Sequence, residues 1–222
     1  MCAVDVRTRA LQSQGSSSQA ILRMLQRTLE QHQISGKLCV DVGCGAGNAY
    51  HYVRSRFNRY IGIDVVRYEA FPDEADFYQF DLDSDSVPLP DECADVVMAI
   101  EVIEHLENPR DFMRKLVRIA KPSGWVIVTT PNQLSMLSVL TLLVKQQFQA
   151  FQDGSYPAHL TALLEVDLKR IAMECGLTAT MIDYSLNGRI PLTAKHYPRR
   201  IARLFPRFLS DNVLLIGRKV HV

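Results

Sequence analysis

Two patterns of apolar side chains alternate along the chain. Some segments are short and continuously apolar, such as those around residues 38–42, 60–64, 94–100 and 125–130, while in others apolar side chains recur every three or four residues. Continuous runs are typical of strands that are buried on both faces, and the wider spacing is typical of helices with one buried face. The alternation predicts βαβ units and therefore an α/β fold with a doubly wound, mostly parallel sheet.

Glycine, proline and helix-capping residues set the predicted boundaries of these elements. Strands are predicted at residues 37–42, 60–64, 75–80, 94–100, 125–130, 177–184 and 212–218. Helices are predicted at residues 20–33, 48–57, 109–120, 134–144 and 161–175. Ser18 is the expected cap of the first helix, and the Pro-Ser-Gly stretch at 122–124 is expected to stop the third.

We expect one domain over residues 1–222 with three additions to the alternating core. These are an N-terminal arm and helix at 1–35, a cap insertion at 131–160 and a basic insertion at 187–211. The apolar helix predicted at 134–144 is too short to span a bilayer, and we interpret it as a buried helix packed on the sheet. The alternatives are a lid that excludes water and a wall for an apolar or lipid-linked ligand.

Composition narrows the function classes. The 222 residues carry a formal net charge of +1, so the chain as a whole gives no reason to expect a nucleic-acid partner. The five cysteines form no C-x-x-C pair, which predicts free thiols in a reducing compartment. The first residues hold no apolar core typical of a secretory signal, and no window of about 18 apolar residues could span a bilayer. We therefore expect a cytoplasmic protein.

Basic side chains are concentrated in one stretch near the end of the chain. It reads RIPLTAKHYPRRIARLFPRF and interleaves arginine and lysine with aromatic and aliphatic residues. We interpret it as a solvated face. The alternative is a contact with a phosphorylated substrate or an anionic membrane surface through residues 189–207.

The stretch VDVGCGAG contains a glycine-rich turn after the first predicted strand. Gly43, Gly45 and Gly47 allow the backbone to approach a ligand closely, and ligands of open parallel sheets bind beyond the carboxyl ends of the strands. Asp64 ends the second predicted strand, where a carboxylate is suited to accept from both hydroxyls of a ribose. The turn therefore predicts a nucleoside ligand.

The residues around this turn distinguish between nucleosides. The third glycine of the dinucleotide fingerprint would fall on Asn48, and the turn lacks the Gly-Lys-Ser/Thr of a P-loop. Asp41, at the end of the first strand, is a poor neighbour for a pyrophosphate and a suitable one for an ammonium or a sulfonium. The pattern favours a nucleoside that bears an amino acid over NAD or FAD.

Four blocks, in this order and at this spacing, resemble a class I S-adenosylmethionine-dependent methyltransferase: VDVGCGAG, GIDV, FDLD and ADVVMAIEVIEHLENP. The chain is similar to the small-molecule branch that includes quinone and sugar methyltransferases, over about residues 38–131, with weaker support as far as Gly176. The resemblance implies a Rossmann-like sheet of seven strands with helical cap elements and S-adenosylmethionine as the cofactor. Its antiparallel last strand would be supplied by residues 212–218.

The resemblance also implies roles for individual residues. The loop at 41–47 would bind the methionine moiety, and Asp64 the ribose. Asp81 would accept from the adenine amino group, with Asp83 as its alternative, and the Leu82 amide would meet a ring nitrogen. The complete set of implied cofactor contacts is Asp41, Gly43, Cys44, Gly45, Gly47, Asp64, Val65, Asp81, Leu82 and Ile100.

Candidate catalytic residues follow the fourth predicted strand, whose last residue, Ile100, would lie near the reactive end of the cofactor. In the block EVIEHL we favour a structural role for Glu101, Glu104 and His105, with His105 as the better catalytic candidate. His159 either faces the acceptor, as a histidine does in related enzymes, or forms a hydrogen bond at a helix start. His105 or His159 would act as the base for a weakly acidic acceptor. We find no metal-ligand cluster in the sequence and expect no metal.

The predicted reaction is in-line methyl transfer from S-adenosylmethionine to a small-molecule acceptor. The favoured acceptor is an oxygen of a sugar, a quinone-like compound or a lipid-linked metabolite, and alignment of the reactants is the main task of such a site. Two alternatives are an NAD-dependent oxidoreductase, which Asn48 disfavours, and a catalytically inactive S-adenosylmethionine-binding module. The sequence leaves the acceptor and the oligomeric state open.

Overall fold

The computed structural model describes residues 7, 10, 15–83 and 87–221. Within this part of the chain, seven strands form one sheet in the order β3-β2-β1-β4-β5-β7-β6. The strands are β1 Gly36–Val42, β2 Phe57–Asp64, β3 Asp76–Gln79, β4 Ala94–Ile100, β5 Ala120–Pro131, β6 Leu177–Tyr184 and β7 Asn212–Lys219. Strands β1 to β5 pair in parallel, and β7 is antiparallel to both β5 and β6. The predicted α/β fold with an antiparallel last strand is confirmed.

Helices cover both faces of the sheet. They are α1 Gln19–Gln31, α2 Tyr50–Val53, α3 Pro109–Ile119, α4 Met136–Lys145, α5 Glu165–Glu174 and α6 Arg199–Ala202. The predicted cap of α1 is present, because the Ser18 hydroxyl accepts from the Ile21 amide at 3.5 Å. Every helix in the described residues is too short or too polar to cross a membrane.

The core has two halves, one on each face of the sheet. Successive strand residues point to opposite faces, so Val40 joins one half and Cys39 the other. Helices α3 and α5 cover the first half with fully buried side chains such as Phe112 and Leu168, and α1 covers the second with side chains such as Leu25. Burial on both faces explains why the strands read as continuous apolar runs.

Three predicted boundaries are wrong. The helix predicted at 48–57 is only α2 and a 3-10 turn at Arg54–Arg56, because Phe57 already pairs with Gly36 as the first residue of β2. Strand β5 begins at Ala120, five residues before the predicted start, and runs through the expected stop signal. Helix α5 begins at Glu165 rather than at 161, since the preceding segment is bound by its amides to the carbonyl of Glu104.

The interpretation of the apolar helix as a buried one is also wrong. In α4 the only buried residue is Ser138, whereas Leu143 and Val144 are 74% and 81% exposed. The helix contacts the segment before β7, where the Met136 amide donates to the Phe208 carbonyl at 2.7 Å. An apolar sequence predicts a preference for a nonpolar environment, but it does not say whether the protein itself supplies that environment.

Candidate active site

A cavity of about 650 Å³ opens at the carboxyl ends of β1, β2 and β4. The order of the strands reverses between β1 and β4, and such a switch point is where open α/β sheets bind ligands. Its lining includes the glycine loop and the residues that follow β2, together with residues from the segments 101–106 and 154–159. Residues 15–18, the described end of the predicted N-terminal arm, complete the wall at the glycine loop.

The glycine loop is held by contacts that only glycine allows. Gly43 and Gly45 have φ values of +78° and +52°, in the left-handed region that other residues rarely adopt. A side chain at Gly43 would overlap Val102, and one at Gly45 would overlap the carbonyl of Gly15. The Gly15 carbonyl also accepts from the Ala46 amide at 2.8 Å. The glycines therefore serve the packing of the loop as well as the predicted close approach of a ligand.

Asp64 connects the end of β2 to the glycine loop. Its Oδ2 accepts from the Gly45 amide at 2.8 Å, and its Oδ1 accepts from the Val66 amide at 3.2 Å. Burial raises the pKa of this carboxyl, and the three amides around it, from Gly45, Val66 and Val65, act in the opposite direction. Each carboxylate oxygen has a second lone pair, and Asp64 lines the cavity, so it can hold the loop and still accept from a ligand.

Asp41 is a buried acid at the end of β1 that lines the cavity. Its Oδ2 accepts from the Tyr60 hydroxyl, and its Oδ1 is buried without a partner in the described part of the protein. Burial raises the pKa of this carboxyl to about 7; the Tyr60 hydrogen bond opposes the shift and the charge of Asp64 adds to it. An unsatisfied carboxylate oxygen in a cavity fits a cationic group, as the sequence predicts.

Of the residues that follow β3, the structure places Asp83 rather than Asp81 in the wall of the cavity. Leu82 and Asp83 line the cavity together with Val65 and Ile100, whereas Asp81 is not one of its described lining residues. The Asp81 Oδ1 instead accepts from the Asp83 amide at 2.9 Å and so shapes the turn. The position of Asp83 favours the alternative adenine contact over the first choice, Asp81.

Glu101 forms buried hydrogen bonds between the ends of three strands. It follows β4 with a φ of +56°, and its Oε1 accepts from the Thr129 hydroxyl of β5 at 2.8 Å. Its Oε2 accepts from the Asn212 amide group of β7 at 2.7 Å. Burial raises the pKa of Glu101 to about 7, and both hydrogen bonds oppose that shift. These contacts support a structural role for Glu101.

Glu104, His105 and His159 converge in the wall of the cavity. The two imidazole rings meet edge to face with centroids 4.7 Å apart. The Nδ1 of His105 donates to the Ala158 carbonyl at 2.8 Å, and the Nδ1 of His159 donates to the Ala150 carbonyl at 2.5 Å. His159 thus uses its ring to anchor the cap insertion rather than to start a helix.

Glu104 is the most buried member of this group. Its Oε2 accepts from the Thr130 hydroxyl at 3.1 Å, and its Oε1 is buried with no partner among the described residues. One ligand atom from each of Glu104, His105 and His159 lies within 4.8 Å of the others, a spacing that could hold a metal ion. Sequence reasoning did not find this group because helix α3, strand β5 and most of the cap insertion lie between His159 and the other two residues.

The cysteines near the site do not act as nucleophiles. Cys39 and Cys44 are buried, and burial together with the charge of Asp41 raises the pKa of both thiols, so they stay protonated near neutral pH. Cys93 and Cys175 are also free, and Cys2 lies outside the described residues. Cys44 therefore fills space in the glycine loop, as its sequence context predicts.

The fold and the site are those of an α/β domain with a glycine loop and two acids at the switch point of its sheet. A family model described as a methyltransferase domain matches residues 12–182. The chain belongs to this family of S-adenosylmethionine-dependent methyltransferases, of the class I, small-molecule type.

Curated relatives are similar to part of this chain, and a solved structure shares its fold. The chloroplastic tocopherol O-methyltransferase of Arabidopsis thaliana is 30% identical over 138 residues, which cover 53% of this chain and 39% of that protein. The mitochondrial ubiquinone biosynthesis O-methyltransferase of Schizosaccharomyces pombe is 28% identical over 134 residues, covering 53% of this chain and 46% of the relative. This chain thus spans less than half the length of either. A SAM-dependent methyltransferase structure from Archaeoglobus fulgidus has a TM-score of 0.61 at 17% identity, covers 97% of this chain and 100% of its own, and supports the fold alone.

Proposed function

We propose that this protein transfers a methyl group from S-adenosylmethionine to a hydroxyl oxygen of a small molecule. The observation that carries the proposal is one cavity that is lined both by the glycine loop, Asp41 and Asp64 and by two histidines. When bound, S-adenosylmethionine would supply a sulfonium methyl group; the acceptor oxygen would bond to its carbon in line as the carbon–sulfur bond breaks and the demethylated cofactor leaves. Two relatives named for O-methylation, acting on tocopherol and in ubiquinone biosynthesis, support an oxygen acceptor on a quinone-like or phenolic ring.

The residues of the cofactor end fit S-adenosylmethionine. The unpartnered Oδ1 of Asp41 would accept from the amino-acid ammonium, and its negative charge suits the cationic ligand. Asp64 would accept from the ribose hydroxyls with the lone pairs that the loop amides leave unused. Asp83 and the Leu82 amide would face the adenine, and Val65 and Ile100 would contribute apolar walls. NAD is disfavoured because family membership and Asn48 both point away from a dinucleotide.

At the acceptor end, the two histidines are positioned to receive a proton. Because Nδ1 of each ring carries its hydrogen to a backbone carbonyl, Nε2 is the basic atom of each neutral ring. Burial lowers the pKa of His159, which keeps this ring neutral at physiological pH. A neutral imidazole in the cavity wall can accept the proton of an acceptor hydroxyl as the new O–C bond forms. His105 and His159 are therefore the proposed catalytic residues.

The first prediction concerns cofactor binding through Asp64. Asp64→Ala removes both the ribose acceptor and the anchor of the Gly45 amide, so we expect the dissociation constant for S-adenosylmethionine to rise by about 10- to 100-fold, as when a charged hydrogen-bonding group is lost. Isothermal titration calorimetry with the cofactor and its demethylated product measures the change. The control is Asp76→Ala, which removes an exposed acid paired with Arg59.

Two outcomes of this experiment would count against the proposed function. The parent protein would fail to bind S-adenosylmethionine, or the Asp64→Ala variant would bind it as tightly as the parent does. Transfer of labelled methyl groups to a panel of phenols, quinols and sugars then separates an enzyme from an inactive binding module, which would bind without turnover.

The exposed apolar helix and the basic insertion support a membrane contact, and we propose that they bind an anionic lipid surface. Helix α4 and residues 189–208 form one apolar-basic surface, because the Tyr197 hydroxyl donates to the Met136 sulfur at 3.1 Å. Its exposed large apolar side chains are Met136, Leu140, Leu142, Leu143, Val144, Leu192, Ile201, Leu204, Phe205 and Phe208. An exposed apolar patch of this kind marks an interaction site, and a lipid-soluble ring acceptor would reach the cavity from such a surface.

The charge of the apolar-basic surface favours an anionic lipid over another protein face. Residues 185–210 contain six arginines and lysines and no aspartate or glutamate. In the described part of the chain, Arg199, Arg200 and Arg203 form no ion pair, whereas Arg207 is paired with Glu165. Three unpaired guanidinium groups beside exposed aliphatic side chains match the headgroups and the acyl boundary of an anionic bilayer.

The second prediction tests this surface with vesicles. Replacing Arg199, Arg200 and Arg203 together by glutamine should weaken binding to phosphatidylglycerol vesicles on the order of a hundredfold, because each cation near an anionic surface contributes about 1 kcal/mol. Co-sedimentation at low and high salt measures the effect. The parent protein should bind less at high salt and less to vesicles of phosphatidylcholine alone.

The matched control replaces three exposed arginines on helices α3 and α5: Arg110, Arg114 and Arg170. This variant has the same loss of charge but should bind the vesicles as the parent does. Equal weakening in the two triple variants would show that net charge alone acts, and equal binding of the parent to neutral and anionic vesicles would refute the contact.

A further inference from the structure

We propose that Glu104, His105 and His159 form a binding site for a divalent transition-metal ion at the acceptor end of the cavity. The role of this ion in methyl transfer rests on the proposed function, whereas its binding does not. Three residues from two distant parts of the sequence each direct one ligand atom to a common point, with all three atoms within 4.8 Å of one another. The approach of three such atoms in a cavity wall is the geometry of a metal site with open positions.

The carboxylate of Glu104 is the first observation that points to a ligand. Its side chain is 1% exposed and lines the cavity, and its Oε1 has no hydrogen-bond donor among the described residues. Leaving a buried carboxylate oxygen without a partner is unfavourable. The Thr130 hydroxyl holds the other oxygen at 3.1 Å and so fixes the orientation of the carboxylate. A cation bound to Oε1 would satisfy the unpartnered oxygen.

The two histidines are the second observation. Metal-binding histidines in proteins donate the hydrogen of one ring nitrogen to a carbonyl or carboxylate, which orients the ring and leaves the other nitrogen as the ligand. His105 and His159 both have this arrangement, because their Nδ1 atoms donate to the carbonyls of Ala158 and Ala150. The two orienting carbonyls lie in the cap insertion, so a bound ion would connect this insertion to the end of β4.

The nearby charges are consistent with a cation. Glu101 is the acid that faces Glu104, and burial together with the charge of Glu101 raises the pKa of Glu104 well above its ordinary range. A cation bound between these side chains would offset the repulsion between the two carboxylates. No lysine or arginine lines the described wall of the cavity to compete for Glu104.

Two imidazoles and one carboxylate favour a particular class of metal. Imidazole ligands suit Zn²⁺, Fe²⁺, Ni²⁺ and Cu²⁺ better than Mg²⁺ or Ca²⁺, which prefer sites made of oxygen alone, and Mn²⁺ serves as a spectroscopic probe because it also accepts the carboxylate. Three protein ligands leave coordination positions open toward the cavity. In the proposed reaction, an acceptor hydroxyl would bind at one of them, be oriented there and release its proton to solvent, because imidazole nitrogens that hold the ion could not accept it.

The experiment uses the full chain after removal of bound metal with a chelator, and Mn²⁺ alone as the probe. Loss of the aqueous Mn²⁺ signal in electron paramagnetic resonance should show one site per chain. Glu104→Gln and His159→Gln should each weaken Mn²⁺ binding by about 10-fold or more. The control His51→Gln, at the exposed position of α2, should stay within about twofold of the parent.

Two further measurements separate metal binding from misfolding and from cofactor binding. Pulsed spectroscopy of the parent with Mn²⁺ should show coupling to imidazole nitrogen, a measurement that needs no variant. Calorimetry should show unchanged S-adenosylmethionine binding in Glu104→Gln and His159→Gln, so failure of the metal site is distinct from failure of the proposed function. The proposal is overturned if the parent binds no Mn²⁺, if the two variants bind it as the parent does, or if imidazole coupling is absent.

Discussion

Replacing Gly45 by alanine is expected to abolish binding of S-adenosylmethionine while the protein stays folded. Gly45 has a φ of +52°, and a methyl group there would overlap the carbonyl of Gly15. The left-handed conformation costs a non-glycine residue about 1–2 kcal/mol, and the overlap forces the loop to move as well. Because the Gly45 amide donates to Asp64, this movement would displace the ribose acceptor. Calorimetry should show an affinity lower by at least about 100-fold.

Gly176→Ala is the matched control for this variant. Gly176 has a φ of +91°, but a methyl group there would meet no atom within 4 Å, and the residue lies outside the cavity. The variant should therefore lose stability by strain alone and keep the affinity of the parent for the cofactor. Thermal unfolding measures the first effect and calorimetry the second. Parent-like binding by Gly45→Ala, or equal loss of affinity in Gly176→Ala, would contradict the role assigned to the loop.

The alternating pattern of the sequence predicts the sheet well because its strands are buried on both faces. The predicted bounds of β4 at 94–100 and of β6 at 177–184 agree with the structure. The helix predicted at 48–57 is wrong for a tertiary reason, since the pairing of Phe57 with Gly36 draws its last residue into β2. Local pattern describes a preference for one conformation, and strand pairing with a distant segment can override it.

Some parts of the candidate site could likewise be predicted from the sequence, and others could not. The glycine loop, Asp41 and Asp64 are readable from the sequence because they lie at the ends of adjacent strands, which the fold brings together. The contact of Gly15 with the loop and the convergence of His159 with Glu104 depend on segments that have no regular pattern. The exposure of α4 also depends on long-range packing, because its composition alone fits a core as well as a surface.

Asp41→Asn is expected to lower the affinity for S-adenosylmethionine by about 10- to 100-fold near neutral pH, since a hydrogen bond between charged groups is worth about 1.5–3 kcal/mol. The amide keeps the shape of the side chain and can still accept from Tyr60, so the fold should be retained. The cofactor ammonium requires the ionised carboxylate. Because the pKa of Asp41 is raised to about 7, the affinity of the parent should increase as the pH rises from 5 to 8.

Stability should change in the opposite direction with pH. The pKa of Asp41 is about 7 in the folded protein against 3.8 for an ordinary aspartate, so the folded state holds a proton that the unfolded chain releases. This contribution is fully present below about pH 3.8 and is lost as the pH rises through 7. Denaturant unfolding without cofactor should therefore show the parent losing stability relative to Asp41→Asn between these two values.

The control for both effects is Asp211→Asn. Burial also raises the pKa of Asp211, but its Oδ2 accepts from the Arg189 amide and it does not line the cavity. This variant should share the change in the pH dependence of stability and leave cofactor affinity at the parental value at every pH. If Asp41→Asn binds S-adenosylmethionine with the same pH dependence as the parent, Asp41 does not contact the cation. If affinity for S-adenosylmethionine rises with pH in the parent while stability falls, the Asp41 carboxylate binds the cationic ligand and destabilises the folded protein when no ligand is bound.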